Sequence, residues 1–472
     1  MNLKNKKVLV MGLGIIGGGL DTVKWLVARG AKVTVTDLKE KYELAPSLKK
    51  LKKLPIKFIL GKHQFQDFEE ADLIIKNPAV KENSPYLKRA RAKEIPIEGD
   101  TSLFFRLWPG KIIGITGTKG KSTTATLIYQ ILKAAGLKVC LAGNIGQSPL
   151  KFIRNSVIRR KNCTAVLELS SFQLENLKIS PHIAVITNIF PDHLNRYKNL
   201  ASYIKAKEQI FTFQKPGDHL VLNYDNKILR NLAKKTKSNI IWFSILANKY
   251  KFKHEYPRIK QKVFVEKENI ISLENGKKQK ICRIKNFKLK GRHNLENVLA
   301  AAAVAKLAKI KPKIIARVLK NFSGIPNRSE LVAETNGVKF INDTTATIPE
   351  ATIEALKTLN PKPYTLNKKI ILICGGSDKK LEFRDLAKNI KKYCKRVVLL
   401  AGSATKKLKP LLYKNCRGET ATIIEAGSMK EAVEKAKELA KRGDIVLLSP
   451  GAASFGLFKN EFDRGRQFKF QI

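Results

Sequence analysis

The sequence predicts an α/β protein built on parallel sheets, and two observations support this prediction. Short runs of β-branched residues alternate with helical patterns almost throughout the chain, which is typical of βαβ units. Glycine-rich turns follow two of these runs, in "VLVMGLGIIGGG" and "GITGTKGKSTT", and such turns can hold a phosphate at the start of a helix. A chain of 472 residues suits about three domains of roughly 150 residues each.

The predicted strands fall into three groups separated by two breaks. The runs assigned to strands are "KKVLVMG", "AKVTVTD", "ADLIIKNP", "KIIGITG", "AVLELSS", "IAVITNI", "HLVLNYD", "KKIILICGG", "KRVVLLAG" and "DIVLLSPG". The breaks are "IEGDTS" and "SGIPNR", so we predict domains at residues 1–99, 100–324 and 325–472. In the middle group we expect a lysine-rich, strand-like insertion near residues 250–290 and a strong helix over 294–310.

The composition bears on partners and compartment. Lys and Arg number 91 against 39 Asp and Glu, a formal net charge of +52. The lysines are dispersed and no basic stripe is interleaved with aromatic residues, which favours solvated faces over a nucleic-acid site. Anionic substrates would still be attracted. The chain has no long apolar run, no signal-peptide pattern and no C-x-x-C pair among its six cysteines. We therefore expect a cytoplasmic protein with reduced thiols and no membrane or nucleic-acid partner. We also expect a monomer.

The turn "GITGTKGKSTT" has the context of a phosphate site. It joins an apolar strand to an amphipathic helix that opens at Lys121, so backbone N–H groups and the Lys121 ammonium would face an anion. Ser122 or Thr123 could offer a hydroxyl to Mg²⁺. The usual motif is G-x-x-x-x-G-K-[ST], but Ile115 stands where its first glycine belongs. Taken alone, the turn is either a chance cluster or an unusual cradle.

Two further side chains could complete a site at the same sheet edge. Glu168 lies near the end of the strand-like run "AVLEL", and His193 follows the run "IAVITNI". Both would lie beyond the carboxyl ends of strands, where ligands of such sheets bind, and could hold Mg²⁺. Alternatively, Glu168 caps the next helix and His193 is an ordinary loop residue.

Lys207 interrupts the apolar stripe of a predicted helix. It shares a face with Leu200, Tyr203, Ile210 and Phe211 in "LASYIKAKEQIF", whereas Lys205 falls on the polar side. The Lys207 ammonium either reaches out to water or is held inside, where burial lowers its pKa. A neutral lysine amine can capture CO₂ as a carbamate, an anion able to bind metal.

Together these segments resemble a known family. The motifs that carry the resemblance are "GTKGKSTT", "ELSSFQLE", "PDHLNRY", "GRHNLENVLAAAAVA", "GIPNRSE", "INDTTAT" and "SPGAASFGLFKNEFDRG". In this order they are similar to those of the Mur ligases, ATP-dependent enzymes that form amide bonds in peptidoglycan precursor synthesis. The resemblance extends over nearly the whole chain and is strongest to members that add D-glutamate to UDP-N-acetylmuramoyl-L-alanine. Their phosphate loop has the form GTxGK[ST], which favours a real cradle here.

The resemblance implies a fold and a set of roles. It implies a Rossmann-like UDP-binding domain, a central ATPase-type domain with a parallel sheet, and a Rossmann-like C-terminal domain that binds the amino acid. Catalytic positions would be Lys121, Glu168, His193 and Lys207. ATP would contact Gly117, Thr118, Lys119, Gly120, Lys121, Ser122, Thr123, Asn294, Asn297, Arg328 and Asp343. Two Mg²⁺ sites would involve Ser122, Glu168, His193 and Lys207, with a carbamate on Lys207. The UDP substrate would contact Gly14, Ile15, Ile16, Asp37 and Asn144, and the amino acid Lys379, Ser454, Phe455 and Phe462.

Two positions depart from the pattern of some members. Thr345 stands where they have lysine in "NDSKAT", so a substrate contact by that lysine does not transfer. The chain reads "KNEF" where some members read "KNFE", which shifts the aromatic residue of the amino-acid pocket to Phe462.

Other functions stay open at this point. Within the fold, a sibling ligase with another amino acid, or a folylpolyglutamate-type ligase, fits the phosphate loop. An NAD-dependent oxidoreductase would explain G-x-G-x-x-G followed by Asp37, but it leaves the later motifs unused. A basic nucleic-acid-binding ATPase would explain the charge, but not the grouping of Glu168, His193 and Lys207.

Overall fold

The computed structural model describes residues 1–14, 18–145, 147–154, 162–175, 177–192, 196–246, 261–289, 291–360, 368–378, 381–413 and 423–472. These residues form two compact units, Met1–Phe322 and Ser323–Ile472. The first unit contains two sheets and the second contains one. The predicted α/β class with three sheet-containing domains is confirmed.

The first sheet is parallel and arranged as in a dinucleotide fold. Its elements are β1 (Lys7–Met11), α1 (Gly18–Val27), β2 (Lys32–Asp37), α2 (Ala45–Leu51), β3 (Ile56–Leu60), α3 (Phe65–Glu69), β4 (Leu73–Lys76), α4 (Pro85–Ala92) and β5 (Ile97–Glu98). The strand order β3-β2-β1-β4-β5 reverses direction at β1. A crevice forms at such a reversal, beyond the carboxyl ends of β1 and β4.

The second sheet is the largest. Its helices and strands are α5 (Asp100–Leu107), β6 (Lys111–Thr116), α6 (Lys121–Ala134), β7 (Val139–Gly143), β8 (Thr164–Glu168), α7 (Ser171–Leu174), β9 (Ile183–Ile186), α8 (Leu200–Thr212), β10 (His219–Asn223), α9 (Lys227–Leu232), β11 (Asn239–Ser244), β12 (Gln261–Glu266), β13 (Asn269–Glu274), β14 (Lys277–Arg283), α10 (Arg292–Leu307) and α11 (Pro312–Asn321). The order is β14-β13-β12-β11-β10-β9-β6-β8-β7. The pairs among β6 to β12 are parallel, whereas β13 and β14 are antiparallel. The predicted insertion corresponds to β12–β14, and residues 247–260 lie outside the described residues.

The strong helix predicted over 294–310 is α10, with different ends. It starts at Arg292, after Gly291 with φ +100°, and stops at Leu307 because Lys309 adopts a left-handed backbone conformation (φ 58°). Its alanine-rich middle is buried and packs against α6. Small side chains allow this close approach, which places the start of α10 beside the start of α6.

The first two sheets share one hydrophobic core. Buried residues from β1, α1 and β2 join a cluster that continues through α5 into β7, β8 and β9. Phe104 and Trp108 of the α5 region stack with ring centroids 4.8 Å apart inside this cluster. Burial of this shared apolar surface holds the two sheets in one unit.

The third sheet has buried residues on both faces. Its elements are β15 (Glu330–Thr335), β16 (Val338–Asn342), α12 (Pro349–Leu359), β17 (Ile370–Gly375), α13 (Arg384–Tyr393), β18 (Cys394–Leu400), α14 (Ser403–Tyr413), β19 (Ile423–Ala426), α15 (Met429–Leu439), β20 (Ile445–Leu448) and α16 (Glu461–Phe470). The order is β15-β16-β20-β17-β18-β19, with β15 antiparallel to β16. Two separate hydrophobic clusters cover its two faces.

Among the helices of the described residues, none is both long enough and apolar enough to cross a lipid bilayer.

Candidate active site

The turn between β6 and α6 has a backbone that only glycine adopts easily. Gly117 has φ +149° and Gly120 has φ +83°, both in the region that disfavours other residues. A Cβ on Gly117 would overlap Thr187 Oγ1, and a Cβ on Gly120 would overlap Asn297 Oδ1. Both glycines of the predicted phosphate loop are therefore required by conformation and by space.

The end of β9 fixes the loop from one side. The Thr118 N–H donates to the Asn188 carbonyl (2.9 Å), and the Lys119 N–H donates to Asn188 Oδ1 (2.9 Å). Thr187 Oγ1 donates to the Lys119 carbonyl (2.6 Å). Helix α6 then begins at Lys121, as predicted. Its first-turn N–H groups lie at the positive end of the helix dipole, which favours an anion there.

Two lysine side chains converge on this loop. Lys121 Nζ donates to the carbonyls of Gly117 (3.0 Å) and Thr118 (3.0 Å). Lys207 Nζ donates to the same Gly117 carbonyl (2.9 Å) and lies 3.4 Å from Thr116 Oγ1. The Lys121 ammonium therefore makes the loop electropositive, which suits a multiply charged anion.

Lys207 takes the inward position of the two that the sequence allowed. Its residue is 1% exposed on α8, alongside the buried Tyr203, Ile210 and Phe211, whereas Lys205 is exposed. Burial lowers the pKa of the Lys207 amine well below its usual value; the Lys121 charge lowers it further, and Asp192 acts in the opposite direction. Burial therefore favours the neutral form of this amine.

Glu168 has one satisfied and one open oxygen. It ends β8 opposite Ile115 of β6, and its Oε1 accepts a hydrogen bond from Asn144 Nδ2 (2.8 Å). Its Oε2 is buried without a hydrogen-bond partner among the described residues. A buried open carboxylate oxygen is costly unless something binds it, so this side chain fits a metal ion. Ser170 caps the helix that follows, so Glu168 is not its cap.

His193 lies outside the described residues, as do Ile15, Ile16 and Lys379. Within the part of the chain that the structure describes, no group of three or more His, Cys, Asp or Glu side chains is placed to hold a metal. Ser122, Glu168 and Lys207 are consequently the metal candidates that lie among the described residues, and Ser122 is buried in the first turn of α6.

Asn297 connects the candidate ATP residues of α10 to α6. It is buried, and its Oδ1 accepts a hydrogen bond from Thr124 Oγ1 (3.3 Å). Asn294 lies in the first turn of the same helix. The packing of α10 on α6 thus brings the segment "GRHNLEN" next to the phosphate loop.

A cavity of about 340 Å³ opens between the first two sheets. Its walls come from the first glycine turn, the loop after β4, the end of β7 and helix α7, and include Gly12, Gly18, Asn77, Asn144, Ser148 and Phe172. Asn144 also holds Glu168, so the cavity and the metal candidate are neighbours.

Asp37 stabilises the first glycine turn. Its Oδ2 accepts the N–H groups of Leu13 (2.8 Å) and Gly14 (3.3 Å), and its Oδ1 accepts that of Lys39 (3.0 Å). In this structure its carboxylate shapes the turn that would meet the substrate.

The second unit gathers its own polar residues at the ends of β16 and β20. Asp343 is buried and accepts hydrogen bonds from Ser449 Oγ (2.8 Å) and the Ser329 N–H (3.0 Å). Burial raises the pKa of Asp343 to about 6, against these hydrogen bonds and the Arg328 charge, which lower it. Thr345 donates to the Asn327 carbonyl (2.9 Å) and supplies no cation.

The remaining candidates for the amino-acid site differ in exposure. Ser454 is buried, whereas Phe455 is 44% exposed and Phe462 is 52% exposed. Both rings are therefore accessible to a ligand. Ser377 donates to the Phe455 carbonyl and ties this loop to the end of β17.

Sequence reasoning missed Arg464. Its guanidinium is fully buried and donates to the carbonyls of Thr344 (2.9 Å) and Ala452 (3.2 Å), which joins the loops after β16 and β20. The available signal was an arginine inside the motif "KNEFDRG", four residues before the core residue Phe468.

Family models match three parts of the chain. Residues 6–99 match the family described as Mur ligase MurD-like, N-terminal domain; residues 115–305 match Mur ligase middle domain; and residues 327–451 match Mur ligase, glutamate ligase domain. The chain belongs to the Mur ligase family. The resemblance inferred from the motifs is confirmed.

Two relatives that match this chain over nearly their full length have the same name. A UDP-N-acetylmuramoylalanine–D-glutamate ligase of Roseiflexus sp. (strain RS-1) is 42% identical, with 99% of this chain and 98% of that protein covered. The ligase of that name from Thermoanaerobacter sp. (strain X514) is 38% identical, with the same coverage.

Solved structures share the fold. A UDP-N-acetylmuramate–alanine ligase from Thermotoga maritima has a TM-score of 0.57 at 21% identity and covers 98% of both chains. A murein peptide ligase from Psychrobacter arcticus has a TM-score of 0.55 at 14% identity and covers 99% of both. At these identities the likeness concerns the fold alone.

Proposed function

We propose that this protein is an ATP-dependent ligase that adds D-glutamate to UDP-N-acetylmuramoyl-L-alanine in peptidoglycan precursor synthesis. The names of its full-length relatives support the choice of substrates. The observation that carries the proposal is the convergence of Lys121 and Lys207 on the Gly117 carbonyl, at the sheet edge where Glu168 presents an open oxygen.

The reaction overcomes the poor reactivity of a carboxylate in two steps. The carboxylate of the L-alanyl group attacks the γ-phosphorus of ATP; an O–P bond forms, ADP leaves, and the product is an acyl phosphate. The amine of D-glutamate then attacks the acyl carbon. A C–N bond forms, phosphate leaves, and the amine loses a proton.

The phosphate loop would stabilise the transferred phosphoryl group. Two anions approach each other in the first step, and their repulsion is offset by loop N–H groups and the Lys121 ammonium, which is catalysis by charge and position. Residues 117–123 would bind the ATP phosphates. The other proposed ATP contacts are Asn294, Asn297, Arg328 and Asp343.

Four side chains are proposed to hold magnesium: Ser122, Glu168, His193 and Lys207. Bound Mg²⁺ would neutralise phosphate charge and orient the reacting oxygens. The open Oε2 of Glu168 supports this. The buried Lys207 amine would first capture CO₂, forming an N–C bond and releasing a proton, and the resulting carbamate would offer oxygen ligands.

The substrates would occupy two further places. The cavity beside Asn144 would take the UDP-sugar, with the turn of Gly14, Ile15 and Ile16, supported by Asp37, at the nucleotide. Lys379, Ser454, Phe455 and Phe462 would contact D-glutamate. We further propose that the enzyme works as a cytoplasmic monomer without a nucleic-acid or membrane partner.

Phosphate release tests the proposal. Purified protein is given ATP, Mg²⁺, UDP-N-acetylmuramoyl-L-alanine and one amino acid at a time, and release should require both the UDP-sugar and D-glutamate. Release with L-alanine, a diamino acid or a dipeptide in place of D-glutamate would identify a sibling ligase instead.

A matched pair of variants locates the chemistry. Lys121→Ala should lower turnover at least about 100-fold while the protein stays folded. Lys133→Ala, an exposed residue near the other end of α6, should change it little. Undiminished turnover in Lys121→Ala would remove the phosphate cradle from the mechanism.

A further inference from the structure

Arg196 crosses from the central sheet region to the first domain. Its Nη1 donates to the Ala79 carbonyl (3.0 Å) and its Nη2 donates to the Pro78 carbonyl (3.0 Å). Both carbonyls belong to the loop after β4, and Pro78 and Ala79 line the 340 Å³ cavity. One guanidinium therefore holds a wall of the candidate substrate cavity by two hydrogen bonds.

The same guanidinium is held firmly on its own side. It lies over the Phe172 ring, 4.0 Å from the centroid, and Nη2 is 3.5 Å from Glu175 Oε2. The side chains of Arg196 and Glu175 are only 17% and 18% exposed. A charged donor in such a sheltered place makes stronger hydrogen bonds than one on the surface. Phe172 lines the cavity too, so Arg196 fixes two of its walls relative to each other.

A continuous set of contacts leads from Arg196 to the phosphate loop. Glu175 Oε1 accepts a hydrogen bond from the Tyr197 hydroxyl (2.5 Å), and the Tyr197 ring lies 5.3 Å from that of Tyr203. The Tyr203 hydroxyl is 3.2 Å from Thr118 Oγ1, and its ring is 4.8 Å from Lys207 Nζ. The loop after β4 is thereby connected to both the phosphate loop and the buried lysine.

We propose that Arg196 is a positioning residue that couples the UDP-sugar cavity to the phosphate loop. This inference rests on the proposed function, because it takes the cavity to hold the UDP-sugar and the loop to hold ATP. Filling the phosphate loop fixes Thr118 and Tyr203, and Arg196 passes this constraint to Pro78 and Ala79. Each substrate then binds more tightly when the other is present, by the same factor in both directions.

The test compares three substitutions in the full-length protein: Arg196→Lys, Arg196→Ala and Arg29→Lys. A lysine keeps the charge but cannot span both carbonyls. Arg29 is a matched control because it also stacks on an aromatic ring, Trp25 at 4.0 Å, and donates to a carbonyl across the same pair of domains, that of Ile153 at 3.5 Å. It makes no contact with the loop after β4 among those described.

The affinity for the UDP-sugar is measured with and without a non-hydrolysable ATP analogue, together with kcat and KM. In the wild type the analogue should tighten UDP-sugar binding about tenfold. Arg196→Lys should lose most of that factor and raise the KM for the UDP-sugar about tenfold, with a smaller change in kcat. Arg29→Lys should retain the coupling.

Each alternative outcome has one meaning. Coupling that is absent in the wild type, unchanged in Arg196→Lys, or equally lost in Arg29→Lys overturns the inference. If Arg196→Ala does not fold, Arg196→Lys decides. A wild-type protein that releases no phosphate with its proposed substrates contradicts the proposed function instead, and ligation with intact coupling in Arg196→Lys contradicts the inference alone.

Discussion

Lys207 shows how a single side chain can define chemistry. The buried Lys207 amine donates to the Gly117 carbonyl, lies 3.4 Å from Thr116 Oγ1 and lies 4.8 Å from the centroid of the Tyr203 ring, and the charge of Asp192 only partly offsets the effect of burial on its pKa. Its lowered pKa makes the neutral amine available, and a neutral amine reacts with CO₂. The proposed carbamate would replace a charge that is unfavourable there with one that a cation can bind.

This leads to a prediction about rescue. Lys207→Ala should be nearly inactive, and short carboxylic acids such as formate or acetate should restore part of the activity, because they offer oxygen ligands in the vacated space. Ligation rates measured against acid concentration provide the test. Lys205→Ala, which alters an exposed lysine on the same helix, should be active without added acid. Full activity of Lys207→Ala in the absence of acid would rule out the carbamate.

Asp343 predicts a pH dependence of stability. Burial raises its pKa from 3.8 to about 6, so the folded state binds a proton more tightly than the unfolded state. The resulting stabilisation is fully present below pH 3.8 and is lost as the pH rises through 6. As the pH rises from below 3.8 to above 6, the free energy of unfolding of the wild type should fall by about 3 kcal/mol relative to that of Asp343→Asn.

Urea unfolding of both proteins at several pH values measures this difference. Asp385→Asn serves as the control, because its side chain is 81% exposed and it should follow the wild type at each pH. If the difference in free energy of unfolding between the wild type and Asp343→Asn does not change with pH, folding does not raise the pKa of Asp343.

At the scale of elements, the β6–α6 turn combines two separate demands on glycine. Gly120 has a left-handed backbone conformation, and Asn297 Oδ1 occupies the space that a Cβ at this position would take. Gly136, after the end of α6, has a similar φ of +81° but no atom within 4 Å of an added Cβ. The two positions therefore separate backbone strain from steric overlap.

We predict that Gly136→Ala costs about 1 kcal/mol of stability and leaves ligation intact. Gly120→Ala should cost more, about 2 to 4 kcal/mol, and should lower turnover at least about tenfold because Asn297 must move. Thermal unfolding and phosphate release measure the two effects. Equal losses in both variants would mean that the contact with Asn297 is unimportant.

The hairpin of β15 and β16 was missed although its signal was present. The sequence "ELVAETNGVKFIN" contains Asn336-Gly337 between two strand-like runs, and both residues adopt positive φ, 52° and 74°. Asn-Gly is the strongest short-range indicator of a hairpin. The strand β7 was missed for another reason: "VCLAG" is short and follows a helix so closely that only its pairing with β8 identifies it.

At the scale of the whole molecule, the two compact units differ in how their hydrophobic cores are distributed over their sheets. The Ser323–Ile472 unit has hydrophobic clusters on both faces of its own sheet. The first two sheets instead share one cluster through Phe104 and Trp108. The described hydrophobic clusters of the second unit contain only that unit's own residues, whereas a cut near residue 99 would expose part of the core that the first two sheets share.

Fragments should reveal this difference. Residues 323–472 expressed alone should unfold cooperatively in urea, followed by far-ultraviolet circular dichroism. Residues 100–322 should be less stable than residues 1–322, because they lack the first domain's part of the shared core. A fragment 323–472 without a cooperative transition, or fragments 100–322 and 1–322 of equal stability, would contradict this division of the core.

The sequence by itself determined the α/β class, the two glycine turns, the start of α6 and membership of the Mur ligases. These depend on local patterns and on motifs whose residues stand close together in the chain. Only the tertiary structure decided that Lys207 points inward and that Glu168 Oε2 has no hydrogen-bond partner among the described residues. It also decided that Asp37 accepts hydrogen bonds from the first glycine turn and that Arg196 donates to the carbonyl of Ala79, 117 residues away. Those facts depend on which distant residues meet in space and on how much water they exclude, and a local pattern contains neither.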